Sequence, residues 1–285
     1  MSKIVLTGIN KYYGTNRVLK DVDLTIEDGE FMTLLGPSGC GKTTTLRVIA
    51  GLEKPQSGSI VMNGERIVNA AESFFAPPAK RGLNLVFQSY ALWPHMTVFD
   101  NVAFGLRVKH TPKDEIKKLV ESALGRMQIG EYAGRYPSEL SGGQKKRVFL
   151  ARALAQQGKI ILLDEPFTGV DVKTETAIIE LLRELKNEGH LIFVSTHDLG
   201  SIPEFCDHVV IINRTVIASG ATETTFTAEN LIKAFGGALR SIKIDHTDNP
   251  EDTAHEIRVF TDDEGALITK QEGKPYLKGI RNVVE

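Results

Sequence analysis

Short apolar runs alternate with longer stretches of helical spacing along most of the chain. Residues 31–35 form one compact apolar run, and others lie at 83–87, 160–163, 191–195 and 209–212. Runs of this length, bounded by polar or turn residues, predict buried strands. Residues 43–50 and 174–187 read as helices, the first ended by Gly51. Such alternation predicts a parallel sheet covered by helices. The opening differs, because residues 1–35 read as strands with tight turns, including an Asp28-Gly29 turn signal. Residues 59–62 with Asn63-Gly64 add a strand and a turn. Residues 65–82, with Phe74, Phe75, Pro77 and Pro78, read as an irregular excursion. From about 89 to 158 the pattern is helical, with Ile116, Leu119, Val120 and Leu124 at helical spacing.

The composition changes from Ser241 onward. Residues 241–256 are mostly polar and acidic, while 257–260 and 266–268 predict a hairpin around residues 262–265. His246, Asp248, Glu251, Asp252 and His255 are loosely spaced and read as a solvated linker, not as a metal site. The tail is too short for a large core of its own.

The 285 residues carry a net charge of -2, so no basic footprint points to nucleic acid. The apolar runs are too short to span a bilayer, and the N-terminus lacks a signal-peptide pattern. Two cysteines, Cys40 and Cys206, give no disulfide framework, which fits a reducing cytosol.

Gly36, Pro37, Ser38, Gly39, Cys40, Gly41, Lys42 and Thr43 fit GxxxxGK[ST] between a strand and a helix. Glycines there let backbone N–H groups converge on phosphate oxygens at a helix N-terminus. Lys42 suits the β and γ phosphates, the Thr43 hydroxyl suits Mg2+, and Thr44 continues the phosphate-binding segment. Cys40, beside Lys42 and a helix N-terminus, is expected to favour thiolate, so that alkylation blocks hydrolysis and bound ATP protects. Asp164 and Glu165 end one apolar strand, Gln88 ends another, and His197 ends a third. A strand-end acid of this kind holds a metal, through water, and its neighbour polarises an attacking water. Taken alone, the acidic pair and the histidine read better as polar strand ends facing solvent.

Leu140-Ser141-Gly142-Gly143-Gln144 is the most specific signal. The ordered set of phosphate loop, Gln88, LSGGQ, Asp164-Glu165 and His197 resembles the ATP-binding cassette family, whose ATPase subunits drive membrane transport. The resemblance covers roughly the first 235 residues. It implies an α/β fold with a P-loop (RecA-like) parallel sheet core, an N-terminal antiparallel β subdomain and an inserted helical subdomain. The expected domains are an ATPase domain over 1–236, with its helical part at about 89–158, and a C-terminal extension over 237–285.

The resemblance also implies roles. Tyr13 stacks on adenine, with Tyr12 as competitor. Glu165, His197 and Gln88 serve hydrolysis, and Thr43, Gln88 and Asp164 serve Mg2+. Ser141, Gly142, Gly143 and Gln144 cap ATP bound by a second copy, with Asp171 at the same interface. The implied partners are a second copy, integral membrane permease subunits meeting residues 89–98, and, indirectly, an extracytoplasmic substrate-binding protein. The implied location is peripheral, on the cytoplasmic face of the membrane. The first half is similar to ATPases of sugar, polyamine and ferric-iron importers, and the second half to those of manganese, chelated-iron and zinc importers. A metal ion of the iron or manganese class is the expected substrate, with an organic solute as the alternative. A soluble cassette ATPase of DNA repair or translation is the alternative of another class.

Overall fold

The computed structural model describes residues 3–87, 92–199 and 202–236, and the backbone of strands between 240 and 280. Strands β1 (Ile4–Tyr13), β2 (Asn16–Ile26) and β3 (Phe31–Leu35) open the chain, and helix α1 (Lys42–Ala50) follows β3. Strands β4 (Ser57–Met62), β5 (Glu65–Asn69), β6 (Phe74–Phe75) and β7 (Leu83–Val86) come next. Helices α2 (Val98–Val108), α3 (Lys113–Arg126) and α4 (Gly142–Ala155) form the helical region. Strand β8 (Ile160–Asp164), helix α5 (Val172–Asn187), strand β9 (Leu191–Thr196) and the short turn α6 (Ile202–Phe205) return to the sheet. Strands β10 (His208–Asn213) and β11 (Thr215–Ala221) lead to helices α7 (Thr222–Thr225) and α8 (Ala228–Phe235).

Two sheets carry the chain from β1 to β11. One has the order β2-β1-β4-β5-β6 and is antiparallel. The other has the order β11-β10-β3-β9-β8-β7 and is parallel except at the β11 edge. Successive side chains on a strand face opposite ways. Phe31, Leu35, Ile161, Leu163, Ile192, Val194, Val209 and Ile211 accordingly enter one apolar core, shared with α2 to α5. Met32, Leu34, Ile160, Leu162, Leu191, Phe193, Val210 and Ile212 enter another, shared with α1 and the antiparallel sheet. Burial on both faces is why these strands read as unbroken apolar runs, without alternation.

Residues 65–82 depart from expectation, since they contain β5 and β6. Asn63 and Gly64 both take positive φ, 54° and 80°. That geometry reverses the chain into a hairpin whose twist matches the strands. It lays β5 on β4 and buries Ile67 and Val68. Past residue 239, β12 (Arg240–Asp245), β13 (Glu256–Thr261), β14 (Ala266–Lys270) and β15 (Tyr276–Ile280) pair antiparallel in that order. Phe260 stands opposite Leu267 in the β13–β14 pairing. His246, Asp248, Glu251, Asp252 and His255 lie outside the described residues.

Candidate active site

The parallel strands β3, β9 and β8 end side by side, so the residues just past them share one rim of the sheet. Ligands of open α/β sheets bind at such carboxyl ends. After β3 the loop holds positive φ at Gly39 (75°) and Gly41 (107°) before α1 begins at Lys42. Gly36 is required by packing, because a Cβ there would lie 2.1 Å from the Ile212 carbonyl oxygen and 2.6 Å from Cys40 Sγ. At Gly41 a Cβ would meet Leu19 at 2.7 Å.

Lys42 Nζ donates to the Gly36 carbonyl at 2.6 Å and the Pro37 carbonyl at 3.2 Å. It also lies 3.5 Å from Glu165 Oε1. The Thr43 hydroxyl donates to Asp164 Oδ1 at 3.0 Å. Ser195 donates to the same Asp164 oxygen at 2.7 Å, and its Oγ accepts the Glu165 N–H at 3.1 Å. Asp164 is thereby held by one hydroxyl from the phosphate loop and one from β9.

Glu165 takes φ 52°, a conformation that costs a residue with a Cβ about 1–3 kcal/mol and clusters at functional sites. Glu165 Oε2 lies 2.6 Å from His197 Nδ1 and accepts the Thr168 hydroxyl at 3.3 Å. Burial pushes the Glu165 carboxyl up, but the His197 hydrogen bond and the Lys42 charge outweigh it and hold it below the ordinary carboxylate value.

Tyr13, Val18, Ser38, Gly39, Gly41, Lys42, Thr43, Thr44, Glu165 and His197 line a cleft of ≈ 400 Å³. Tyr13 is thus in the cleft lining, with Lys11 Nζ 4.9 Å from its ring centre, whereas Tyr12 lies beside Arg17. Gly36 and Pro37 serve through carbonyls that hold Lys42. Cys40 departs from expectation. Its side chain is 3% exposed and packs in the core between α1 and the antiparallel sheet. Burial raises its thiol pKa against the lowering effect of Lys42, so thiolate is disfavoured. Gln88 lies outside the described residues.

Ser141 caps α4: its Oγ accepts the Gln144 N–H at 3.3 Å, and Gln144 Oε1 accepts the Ser141 N–H at 2.8 Å. Gly142 and Gly143 open the helix. Asp171 caps α5 through the Thr174 N–H at 2.9 Å and the Thr174 hydroxyl at 2.8 Å. A Cβ on Gly143 would lie 3.3 Å from Thr174 Oγ1, so these two helix starts touch. The LSGGQ residues and Asp171 sit together, and none of them lines the cleft of Lys42.

Shortly before α2, Trp93 packs against Phe104 and under the Arg152 guanidinium. The fully buried Asn101 side chain fixes this turn. It accepts the Trp93 N–H and donates to the carbonyls of Trp93, Met96 and Thr97. Ser195, Thr168 and Asn101 escaped the sequence reading, because hydroxyls and amides gain meaning only from what folding brings beside them. For Ser195 the one signal was its place two residues before His197 at a strand end.

A phosphate-loop cleft at the rim of a parallel sheet, with Glu165 beside its lysine, Asp164 on its threonine and His197 on Glu165, defines a nucleotide-binding ATPase. The ABC transporter family profile matches residues 19–168. The chelated iron transport system membrane protein YfeB of Yersinia pestis is 44% identical over 267 residues, 90% of this chain and 87% of YfeB. The spermidine/putrescine import ATP-binding protein PotA of Haemophilus influenzae is 46% identical over 216 residues, 75% of this chain but 56% of PotA. Among solved structures, the dimeric bacterial ABC transporter cassette MJ0796 superimposes with TM-score 0.68 at 33% identity, over 76% of this chain and 98% of that one. The chain belongs to the ABC transporter family and contains its ATP-binding, ATP-hydrolysing domain, which powers transport. Among the described residues no helix is long and apolar enough to cross a membrane.

Proposed function

We propose that this chain is the ATPase subunit of an importer for a metal ion of the iron or manganese class. It works as a dimer on the cytoplasmic face of the membrane, docked on permease subunits that receive cargo from an extracytoplasmic binding protein. The observation carrying the catalytic part is the convergence of Lys42, Thr43, Glu165 and His197 on one cleft, with Asp164 hydrogen-bonded to Thr43. The metal assignment is favoured by the extent of likeness. Similarity to the chelated-iron protein runs through 90% of this chain, against 75% of it for the polyamine ATPase.

In this reading Tyr13 stacks on the base, and the backbone of residues 38–44 cradles the phosphates. Lys42 exchanges its loop carbonyls and Glu165 for phosphate oxygens. Thr43 Oγ1 and Asp164 Oδ1, 3.0 Å apart, are hard oxygen donors that fit Mg2+, directly or through water. The ion supplies charge neutralisation at the β and γ phosphates. Glu165 is the general base that orients water, and it is held ionised by His197 and Lys42. Gln88 joins them, contacting the ion or the water. Ser141 to Gln144 of one copy cap the ATP bound by the other, and the likeness to a dimeric cassette supports that arrangement.

Two measurements test this. Glu165→Gln should lower ATP turnover on the order of 10²–10⁴-fold while ATP still binds. Cellular manganese, iron and zinc are then compared between wild type and Glu165→Gln under metal limitation. Loss of one metal identifies the cargo. Unchanged metals, with wild-type hydrolysis intact, would overturn the metal assignment in favour of an organic solute, the reading favoured by the polyamine relative.

A further inference from the structure

Lys146 is a charged residue in an unexpected place. It lies in α4, the helix that LSGGQ starts, and is only 4% exposed. Its ammonium donates to the main-chain carbonyl of Thr168. Thr168 is three residues past Glu165, in the loop between β8 and α5. The Thr168 hydroxyl donates to Glu165 Oε2 at 3.3 Å, and the Thr168 N–H points back to the Glu165 carbonyl at 3.4 Å. One residue thus faces two ways: its carbonyl is held by the LSGGQ helix and its hydroxyl by the base.

The contact is part of a broader clasp. Gly143 and Lys146 are three apart in α4 and lie on one helix face. Gly143 sits against Thr174 and Asp171 at the start of α5, and Lys146 holds Thr168 at the other end of the same loop. Burying an ammonium is costly unless its hydrogen bonds are supplied. A lysine kept in that position fixes the carbonyl it binds more firmly than a neutral side chain would, since charge-assisted hydrogen bonds are roughly twice as strong as neutral ones.

We propose that Lys146 is a positioning residue for the hydrolytic base: by pinning the Thr168 carbonyl it aims the Thr168 hydroxyl, and hence the Glu165 carboxylate, from the LSGGQ helix. The proposal rests on Glu165 being the base. A carboxylate held by three side chains has one orientation; without Thr168 it is held at Oε2 by His197 alone and at Oε1 by Lys42. The lost orientation appears in turnover and not in nucleotide affinity, because neither Lys146 nor Thr168 lines the cleft.

The test is steady-state ATP hydrolysis and ATP binding by the full-length protein. Lys146→Met should lower kcat about tenfold with KM and ATP affinity unchanged. Lys146→Arg, which keeps charge and donor, should recover most of that loss. Thr168→Val, which leaves the carbonyl for Lys146 but removes the hydroxyl, should reproduce the loss and not add to Lys146→Met. In a Glu165→Gln background, Lys146→Met should have no further effect. A purely structural lysine would instead raise KM while lowering affinity and turnover, or lower turnover by the same factor with and without the Glu165 carboxylate; either result overturns the proposal. Full activity of Thr168→Val overturns it too, even where Lys146→Met does not fold. Wild-type turnover in Glu165→Gln would instead remove Glu165 as base, and the failure would belong to the catalytic reading itself.

Discussion

Glu165 Oε2 and His197 Nδ1 meet at 2.6 Å, although 31 residues separate them in the chain. They come from the ends of the adjacent strands β8 and β9, paired in register through Asp164 and Ser195. The pair joins the residue read as base to a second residue read as serving hydrolysis, so a change at one should alter the chemistry of the other.

Burial is the largest influence on Glu165, and replacement of His197 by Ala removes the hydrogen bond and charge that oppose it, leaving Lys42. Its pKa should rise, and the acid limb of the kcat/KM profile should move to higher pH. Stability should follow the same sign. In the wild type the folded value lies below the ordinary 4.5, so ionised Glu165 stabilises the fold above that pH and loses this as pH falls through the folded value. Urea unfolding of His197→Ala and wild type across the acid range should show a smaller acid-dependent loss in the variant.

Gly36→Ala should cost about 2 kcal/mol or more, because its Cβ would overlap the backbone carbonyl of Ile212, which cannot swing aside as a side chain would. Thermal unfolding with and without nucleotide checks this. A variant that melts like wild type would show that the loop relaxes freely.

Cys40 should resist alkylation. A buried thiol with a raised pKa offers little thiolate near neutral pH. Maleimide labelling followed by mass spectrometry should leave Cys40 mostly unmodified in the native protein and fully modified after denaturation. Rapid native labelling that abolishes hydrolysis would restore the reactive-thiol expectation.

Tyr13→Ala should weaken ATP binding by about tenfold or less, the range of one aromatic stacking contact. Tyr12→Ala should leave it unchanged, because Tyr12 is absent from the cleft lining. Equilibrium binding of ATP and of inorganic triphosphate separates the base contribution, and equal effects on both ligands would count against stacking.

The phosphate loop, the strand-end acids and the LSGGQ helix start were legible because each is local: a strand, a turn and a helix cap are set by neighbours in sequence. The β5–β6 hairpin was obscured by its prolines and exposed Phe74, although Asn63-Gly64 announced the turn. Cys40 was misjudged because proximity to Lys42 in sequence says nothing about which way a side chain points. In the fold its sulfur enters the core behind the loop.

Sequence alone determined the alternation of strands and helices, the residue types of the phosphate cleft and the family to which the chain belongs. Those follow from the short-range rules of backbone geometry and from motifs whose chemistry needs fixed spacing. Only the tertiary structure decided that Ser195 steadies Asp164, that Thr168 and His197 share one carboxylate oxygen, and that Lys146 reaches the loop after Glu165. These contacts join side chains from different elements, and their distances are set by sheet register and helix packing, which no local stretch of sequence contains.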